Sequence, residues 1–412
     1  MHRVRTAKER FRIGSFAAVR CASVPSHGYR SRVLPLVLAF AASSWSVALA
    51  PPVSGDDPAA VTATCVRAHA RRAERAYADS LGSALAMRAA VRELCASPGE
   101  AALARAREAW IVAREAYGRT EAYRFGNGPI DARRGGRETW INAWPVDEAC
   151  IEPADRGAPR GIIGDPSTYS VLNRTIIRLH NQRGGETNVC TGWHAIEFML
   201  WGEDRSADGP GARPASDFRD ESGPRAARRR EYLLEITEML CEDLEAVASQ
   251  WRAGSGEYRA RFESDPQSIR WIMAGPALLS GFEMAGERLA VAYETRDQEE
   301  EHSCFSDTTH LDFRANVRGI ESVLVGGGTD GVIAAVRARD AAAAASIEQA
   351  LARAIQAVDA IPAPFDRAIR AADGSPERAR LKEAMEALES LSEAVGAGGR
   401  VLGFSLPTEP QG

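Results

Sequence analysis

AAVTATCVRAHARRAERAYADSLGSALAMRAAVREL, residues 59–94, decides the fold. The stretch holds no proline, is rich in Ala, Arg and Glu, and returns apolar residues at helical spacing, as in Val66, Ala70, Ala73 and Tyr77. A long first helix is expected. Ser97-Pro98-Gly99 breaks it, and a second helix is expected from about Glu100 to Phe125, where Gly126-Asn127-Gly128-Pro129 stops it. Residues 126–190 are rich in Gly, Pro, Asn and Asp; a segment this long is expected to shape a site rather than idle as a loop. Helical spacing resumes over 226–251, 268–295, 308–324, 330–360 and 376–394, the last opened by Ser375-Pro376 as cap and first turn. Alternating β-branched runs are absent. The class expected is therefore all-α, with two helix bundles in series. The first spans 58–255 with the irregular insert 126–190, the second 266–405, and the break falls near Gly254-Ser255-Gly256 and Ser264-Asp265-Pro266. Gly326-Gly327-Gly328 follows no strand and precedes no Gly-Lys-Ser/Thr, so it reads as a helix connection, not a phosphate loop.

A chain of 412 residues, 45 % hydrophobic, can fill two such units. Its net charge of -5 leaves no basic footprint for a phosphate backbone, which argues against nucleic acid as a partner. The amino terminus differs from the rest. Arg3, Arg5, Lys8, Arg10, Arg12, Arg20, Arg30 and Arg32 precede the apolar run 33–50, which ends in the small residues Ala48-Leu49-Ala50. This reads as a secretory signal over residues 1–50, with an uncleaved anchor as the alternative, and leaves 43 bases against 55 acids in the exported chain. Export to the periplasm or cell envelope permits disulfides among Cys65, Cys95, Cys150, Cys190, Cys241 and Cys304. Cys65 and Cys95 are not expected to pair, since continuous helix would hold them about 45 Å apart. No Cys-x-x-Cys is present.

Three clusters could carry chemistry. In Thr191-Gly-Trp-His-Ala-Ile-Glu-Phe-Met-Leu-Trp201 every side chain except the Thr cap, His194 and Glu197 is apolar or small. A helix this apolar is buried, and residues three apart share a face, so imidazole and carboxylate project together. Bundle helices offer metal ligands in this way; the alternative is a buried His satisfied by its own carboxylate. The second cluster is the stripe Trp110, Arg114, Tyr117, Glu121, Arg124, in which Glu121 could add a ligand held by Arg124, or form an ordinary Glu-Arg pair. The third is Asp297-Gln-Glu-Glu-Glu-His-Ser-Cys-Phe-Ser-Asp-Thr-Thr-His310, where Asp307 is placed to cap the following helix and His302 and His310 are candidates for a polar site.

These segments carry a resemblance. The run Glu186 to Asp204, with Gly-x-His-x-x-Glu and then Trp-Gly, looks like the signature of the imelysin family. Thr120-Glu-Ala-Tyr-Arg-Phe-Gly126, Trp144-Pro-Val-Asp-Glu148 and Pro362-Ala-Pro-Phe-Asp366 resemble its other motifs, and Asp297–His310 is similar to that of its iron-regulated branch. The resemblance runs from about 58 to 405. It implies two helix-bundle domains, a periplasmic or envelope location, and a role in iron uptake or iron response, with a conserved site where the domains meet. It also implies the site residues. His194, Glu197 and Glu121 would be metal ligands, with Arg124 and Asp147 beside them and His302, Ser303, Asp307 and His310 facing them. Iron is the metal implied, with zinc possible because imidazole plus carboxylate suits both. Cys150 and Cys190 depart from the family pattern; they flank the irregular insert, and Cys190 lies four residues before His194, so a disulfide between them is proposed at this stage. Three functions remain open: a binding protein for iron or a small iron-bearing ligand; a metallopeptidase, as the family is classed, though His-Glu-x-x-His is absent; and a metal-free envelope interaction protein with a protein partner.

Overall fold

The computed structural model describes residues 57–153, 161–206 and 208–409. The signal expected over residues 1–50 lies outside them. The described chain is all-α, without a strand. In order come α1 (Pro58–Ala96), α2 (Glu100–Gly118), the short α3 (Glu138–Ile141), α4 (Gly161–Gly164) and α5 (Arg174–His180), then α6 (Gly192–Trp201), α7 (Pro224–Trp251), α8 (Glu257–Ser264), α9 (Ser268–Ala277), α10 (Val291–Thr295), α11 (Thr309–Leu324), α12 (Val332–Arg337), α13 (Ala341–Asp359), α14 (Phe365–Arg370) and α15 (Pro376–Val401). Asp57 starts α1 by accepting from the Ala59 amide, with Pro58 at the first helical position, where its missing N–H costs nothing. Ser375 caps α15 in the same way through the Arg378 amide.

The chain from Asp56 onward packs as one compact unit. Within it α1, α2, α6 and α7 pack on one another around Tyr77, Trp110, Trp193 and Trp251, and α9, α11, α13 and α15 pack around Leu279, Phe313, Ile347 and Leu388. α11 lies against α2, and α9 and α12 lie against α1, which forms a seam between the two groups. The expected break at 254–266 falls on α8 and its flanking turns. No helix among the described residues is long and apolar enough to cross a membrane.

Three elements differ from the sequence reading. The helix expected to run to Phe125 ends at Gly118, because α11 presses on it there: a Cβ on Gly118 would fall 2.8 Å from the Ala315 Cβ, and the Asn316 amide donates to the Gly118 carbonyl at 2.9 Å. A 3-10 turn, Glu121–Tyr123, follows. The single helix expected over 330–360 is two, since Asp340 turns out of the helix and accepts from the Ala342 and Ala343 amides to start α13. The expected helix 268–295 is continuous but not uniform. Pro276 removes one ladder bond, and the chain is π-wound from Leu278 to Ala290 before α10 resumes.

Candidate functional site

α6 begins in a confined place. Gly192 takes φ +85°, and a Cβ there would lie 2.4 Å from the Ile141 carbonyl at the end of α3, so only glycine lets α6 start against α3. Every residue of α6 is buried, as its apolar composition requires. Trp193, Ala195, Ile196 and Met199 fill the core of the first group, while His194 and Glu197, 1 % and 0 % exposed, stand on one face. His194 Nδ1 lies 2.8 Å from Glu197 Oε2. The other carboxyl oxygen accepts from the Ser306 amide at 2.9 Å and its hydroxyl at 2.7 Å. Burial, then the positive Arg114, lowers the His194 pKa well below its usual range. Burial pushes Glu197 up to about 8, against the lowering effect of Ser306. The ring is therefore neutral at neutral pH. His194 Nε2 is buried without a hydrogen-bond partner.

The opposite wall comes from the segment 301–309 and α11. His302 stands with its ring centroid 4.9 Å from that of His194. Its Nδ1 is 2.9 Å from Asp312 Oδ2, which also accepts from the Ser303 hydroxyl at 2.6 Å. Arg114 reaches across from α2. Its Nε donates to Asp312 Oδ1 at 3.0 Å, Nη1 donates to Asn142, and Nη2 lies 3.3 Å from both ring nitrogens of His302. Trp144 sets its ring edge-on to His302 at 5.6 Å and donates from Nε1 to the Glu301 carbonyl at 2.7 Å. Each histidine thus has a carboxyl group behind its Nδ1, an arrangement that fixes ring orientation.

Glu121 is buried in the same seam but otherwise engaged: Arg288 Nη2 donates to its Oε2 at 2.6 Å and Asn316 donates to its Oε1 at 3.1 Å. Burial alone would raise its pKa; Arg288, with Arg114, His302 and Arg124, overrides this and holds the carboxyl down to about 2. Arg124 pairs with Glu138 at 3.0 Å and Glu283 at 2.7 Å, and approaches Glu121 only to 3.7 Å. Asp147 is exposed and caps the turn Glu148–Cys150 through the Ala149 amide. His310 is half-buried on α11 with Nδ1 unpartnered.

The cap expected of Asp307 is corrected. Thr308 holds the cap position of α11, and Asp307 takes φ +55°, which turns its carboxylate away from the helix. Neither of its oxygens has a hydrogen-bond partner. Burial, then Asp366 and Asp204, pushes its pKa up to about 7, and Glu301, buried among the same carboxylates, is raised well above the usual range. Among the described residues no three of His, Cys, Asp or Glu converge closely enough to hold an ion. A cleft of about 540 Å³ beside the end of α6 is lined by Phe198, Trp201, Asp204 and Arg213 among others, but not by His194.

Cys150 and Cys190 carry free thiols whose sulfurs are 3.5 Å apart. Cys65 and Cys95 are also free, at opposite ends of the unbroken α1. The seam further holds residues that sequence reasoning passed over: Asn142, Arg288, Ser306, Asp312 and Asn316. One signal was available. Arg288 stands directly before Leu289, inside an otherwise apolar helical stripe, where an unpaired guanidinium could not be buried.

The fold has counterparts in known proteins. The iron-regulated protein A of Synechococcus elongatus is 25 % identical over 306 residues, which cover 70 % of this chain and 73 % of the relative. The crystal structure of a protein of Parabacteroides distasonis, described as an iron-regulated protein A precursor, superposes with a TM-score of 0.65 at 20 % identity, covering 85 % of this chain and 98 % of that one. An imelysin-like protein of Psychrobacter arcticum gives a TM-score of 0.59 at 14 % identity over 86 % of this chain and 99 % of its own. At these identities the two structures speak for the fold alone. The imelysin family model matches residues 73–395, nearly the whole described chain, and the protein belongs to that family.

Proposed function

We propose that this chain is an exported cell-envelope protein that handles iron, holding the ion or a small iron-bearing ligand against His194 at the seam between the two helix groups. Family membership and the name of the Synechococcus relative support the iron reading. One atom carries the location. His194 Nε2 is fully buried, has no partner, and belongs to an imidazole that burial keeps neutral, the form in which histidine coordinates a metal. The donor set fits an ion that brings ligands of its own. His194 would supply the protein donor, oriented from behind by Glu197, while His302, held between Asp312 and Arg114, lines the facing wall one ring away. Glu121, clasped by Arg288 and Asn316, has no free oxygen to add. With one imidazole nitrogen available, the remaining positions fall to the incoming ligand, and iron would supply Lewis acidity and redox chemistry when bound. Because His194 is 1 % exposed, such a ligand must part the seam to reach it.

A second reading has its own support. Arg114–Asp312, Arg288–Glu121 and Ser306–Glu197 each join one helix group to the other, so the cluster could act as metal-free glue for an envelope interaction protein. A metallopeptidase is disfavoured, since a zinc peptidase needs three protein ligands and a carboxylate base.

Titration of the protein with ferrous and ferric iron, as free ions and as citrate chelates, separates these readings. Iron handling predicts saturable binding that His194→Ala weakens at least tenfold while the helical signal is retained. Equal binding by wild type and His194→Ala would reject the site, and no binding in any form would favour the glue.

A further inference from the structure

The irregular segment 126–190 ends beside its own middle. Cys150 closes the turn Glu148–Cys150, Cys190 lies two residues before α6, and their sulfurs are in contact at 3.5 Å. We propose that Cys150 and Cys190 form a redox modification site, which a disulfide donor closes into a bond that fastens the insert to the foot of the His194 helix.

Contact of sulfur with sulfur sets this pair apart, since both thiols also reach carbonyls, those of Val189 and Asn188, as the other cysteines do. Cys65, Cys95 and Cys241 direct their thiols to the carbonyls of Gly331, Arg230 and Ala84, and Cys304 is buried. The backbone at both ends of the pair is held in place. The Cys190 amide donates to Asn181 Oδ1 at 2.8 Å and the Tyr232 hydroxyl donates to the Cys190 carbonyl at 2.8 Å. On the other side the Asp147 amide donates to the Thr187 carbonyl at 2.7 Å, so the two arms of the insert are already tied next to the sulfurs. Two thiols held in contact by structure are preorganised for a bond. Access is unequal, and in the useful sense: Cys150 is half-buried and open to a donor, whereas Cys190 is 1 % exposed and can be reached through Cys150.

The chemistry is thiol–disulfide exchange. With glutathione disulfide as donor, Cys150, whose thiol the Cys190 contact and burial hold above its usual range, gives up its proton to attack one donor sulfur, forms a mixed disulfide and expels one glutathione, a step that alkaline pH speeds. The Cys190 thiolate then attacks the Cys150 sulfur and displaces the second glutathione. Two electrons pass to the donor, and the two thiol protons end on the two glutathiones released. The bond encloses residues 151–189 and restrains the unfolded chain more than the folded one, so the closed form is the more stable. The hydrogen bonds of both sulfurs run to each other and to the Val189 and Asn188 carbonyls, so the cross-link can be read without iron present.

The test incubates the purified, reduced protein with glutathione disulfide, alkylates it, and maps a non-reduced digest by mass spectrometry, with thermal unfolding before and after. The expected result is a cross-linked peptide joining Cys150 to Cys190, alkylation at Cys65, Cys95 and Cys241, and a higher thermal midpoint that dithiothreitol reverses. Cys150→Ala, in which Cys190 keeps its buried place, should show no such rise. Alkylation of both thiols after incubation, a stable glutathione adduct on Cys150 that Cys190 never displaces, or a cross-link from either cysteine to another position would overturn the proposal.

Discussion

Asp307 marks the place where a single side chain goes against local expectation. An Asp before a helix usually caps it, yet here a left-handed backbone turns the carboxylate toward Glu301, Asp204 and Asp366. Its folded pKa of about 7 lies above the ordinary 3.8, so the native state binds the proton that the unfolded state releases. The stability this proton provides is complete below about pH 4 and is lost as pH rises through 7. Asp307→Asn keeps the size and tolerates the left-handed backbone. It should raise stability more at pH 8 than at pH 4.5, by about 1–2 kcal/mol after allowance for solvent screening. Urea unfolding at the two pH values checks this; a variant less stable at pH 8 would show that the charge has a partner, such as a bound cation. His194 and Glu197 were legible from sequence because two polar residues in an otherwise apolar helix must face something polar. The fate of Asp307 was not, since it depends on carboxylates some sixty and one hundred residues away in the chain.

The buried helix α6 depends on its first residue. Gly192→Ala would force a left-handed residue with a Cβ 2.4 Å from the Ile141 carbonyl. A loss of about 1–3 kcal/mol is expected from the backbone alone, and more from the clash. Its signature would be loss of protection in hydrogen exchange over residues 191–201; full protection would mean that α3 yields instead. Element boundaries were readable where a cap or breaker is local, as at Ser97-Pro98-Gly99 and Ser375-Pro376. They were not readable where tertiary packing decides. The early end of α2 reflects pressure from Ala315, and a Cβ on Gly275 would lie 2.3 Å from the Ala122 carbonyl, so α9 passes against the 3-10 turn more closely than periodicity can express. The π-wound stretch that delivers Glu283 and Arg288 to the seam likewise leaves the stripe Leu278, Phe282 and Leu289 unaltered in the sequence. Such widened turns gather at functional sites, consistent with its place here.

Across the whole molecule, the two helix groups meet through buried charge rather than through apolar surface alone. Arg288 and Glu121 form one such pair, 4 % and 0 % exposed at their side chains. Removing one partner leaves the other charged and dry, so Arg288→Met should cost about 3–5 kcal/mol, and adding Glu121→Gln should recover part of it. Unfolding of the single and double variants measures this; a double variant that recovers nothing would mean that Arg288 acts through Glu283 or Asn316. Acid gives a parallel check. The folded pKa of Glu121, about 2, is depressed, so its contribution is present above about pH 4.5 and disappears as pH falls toward 2. The same seam places His194 and His302 ring to ring, and the account stands on what meets them there. The most direct measurement is the metal content of the protein isolated from its native cells without nickel chromatography, compared with His194→Ala prepared in the same way. The account predicts iron in the wild type and its loss in the variant at unchanged helicity; wild-type protein free of iron, or iron retained equally by both, would contradict it.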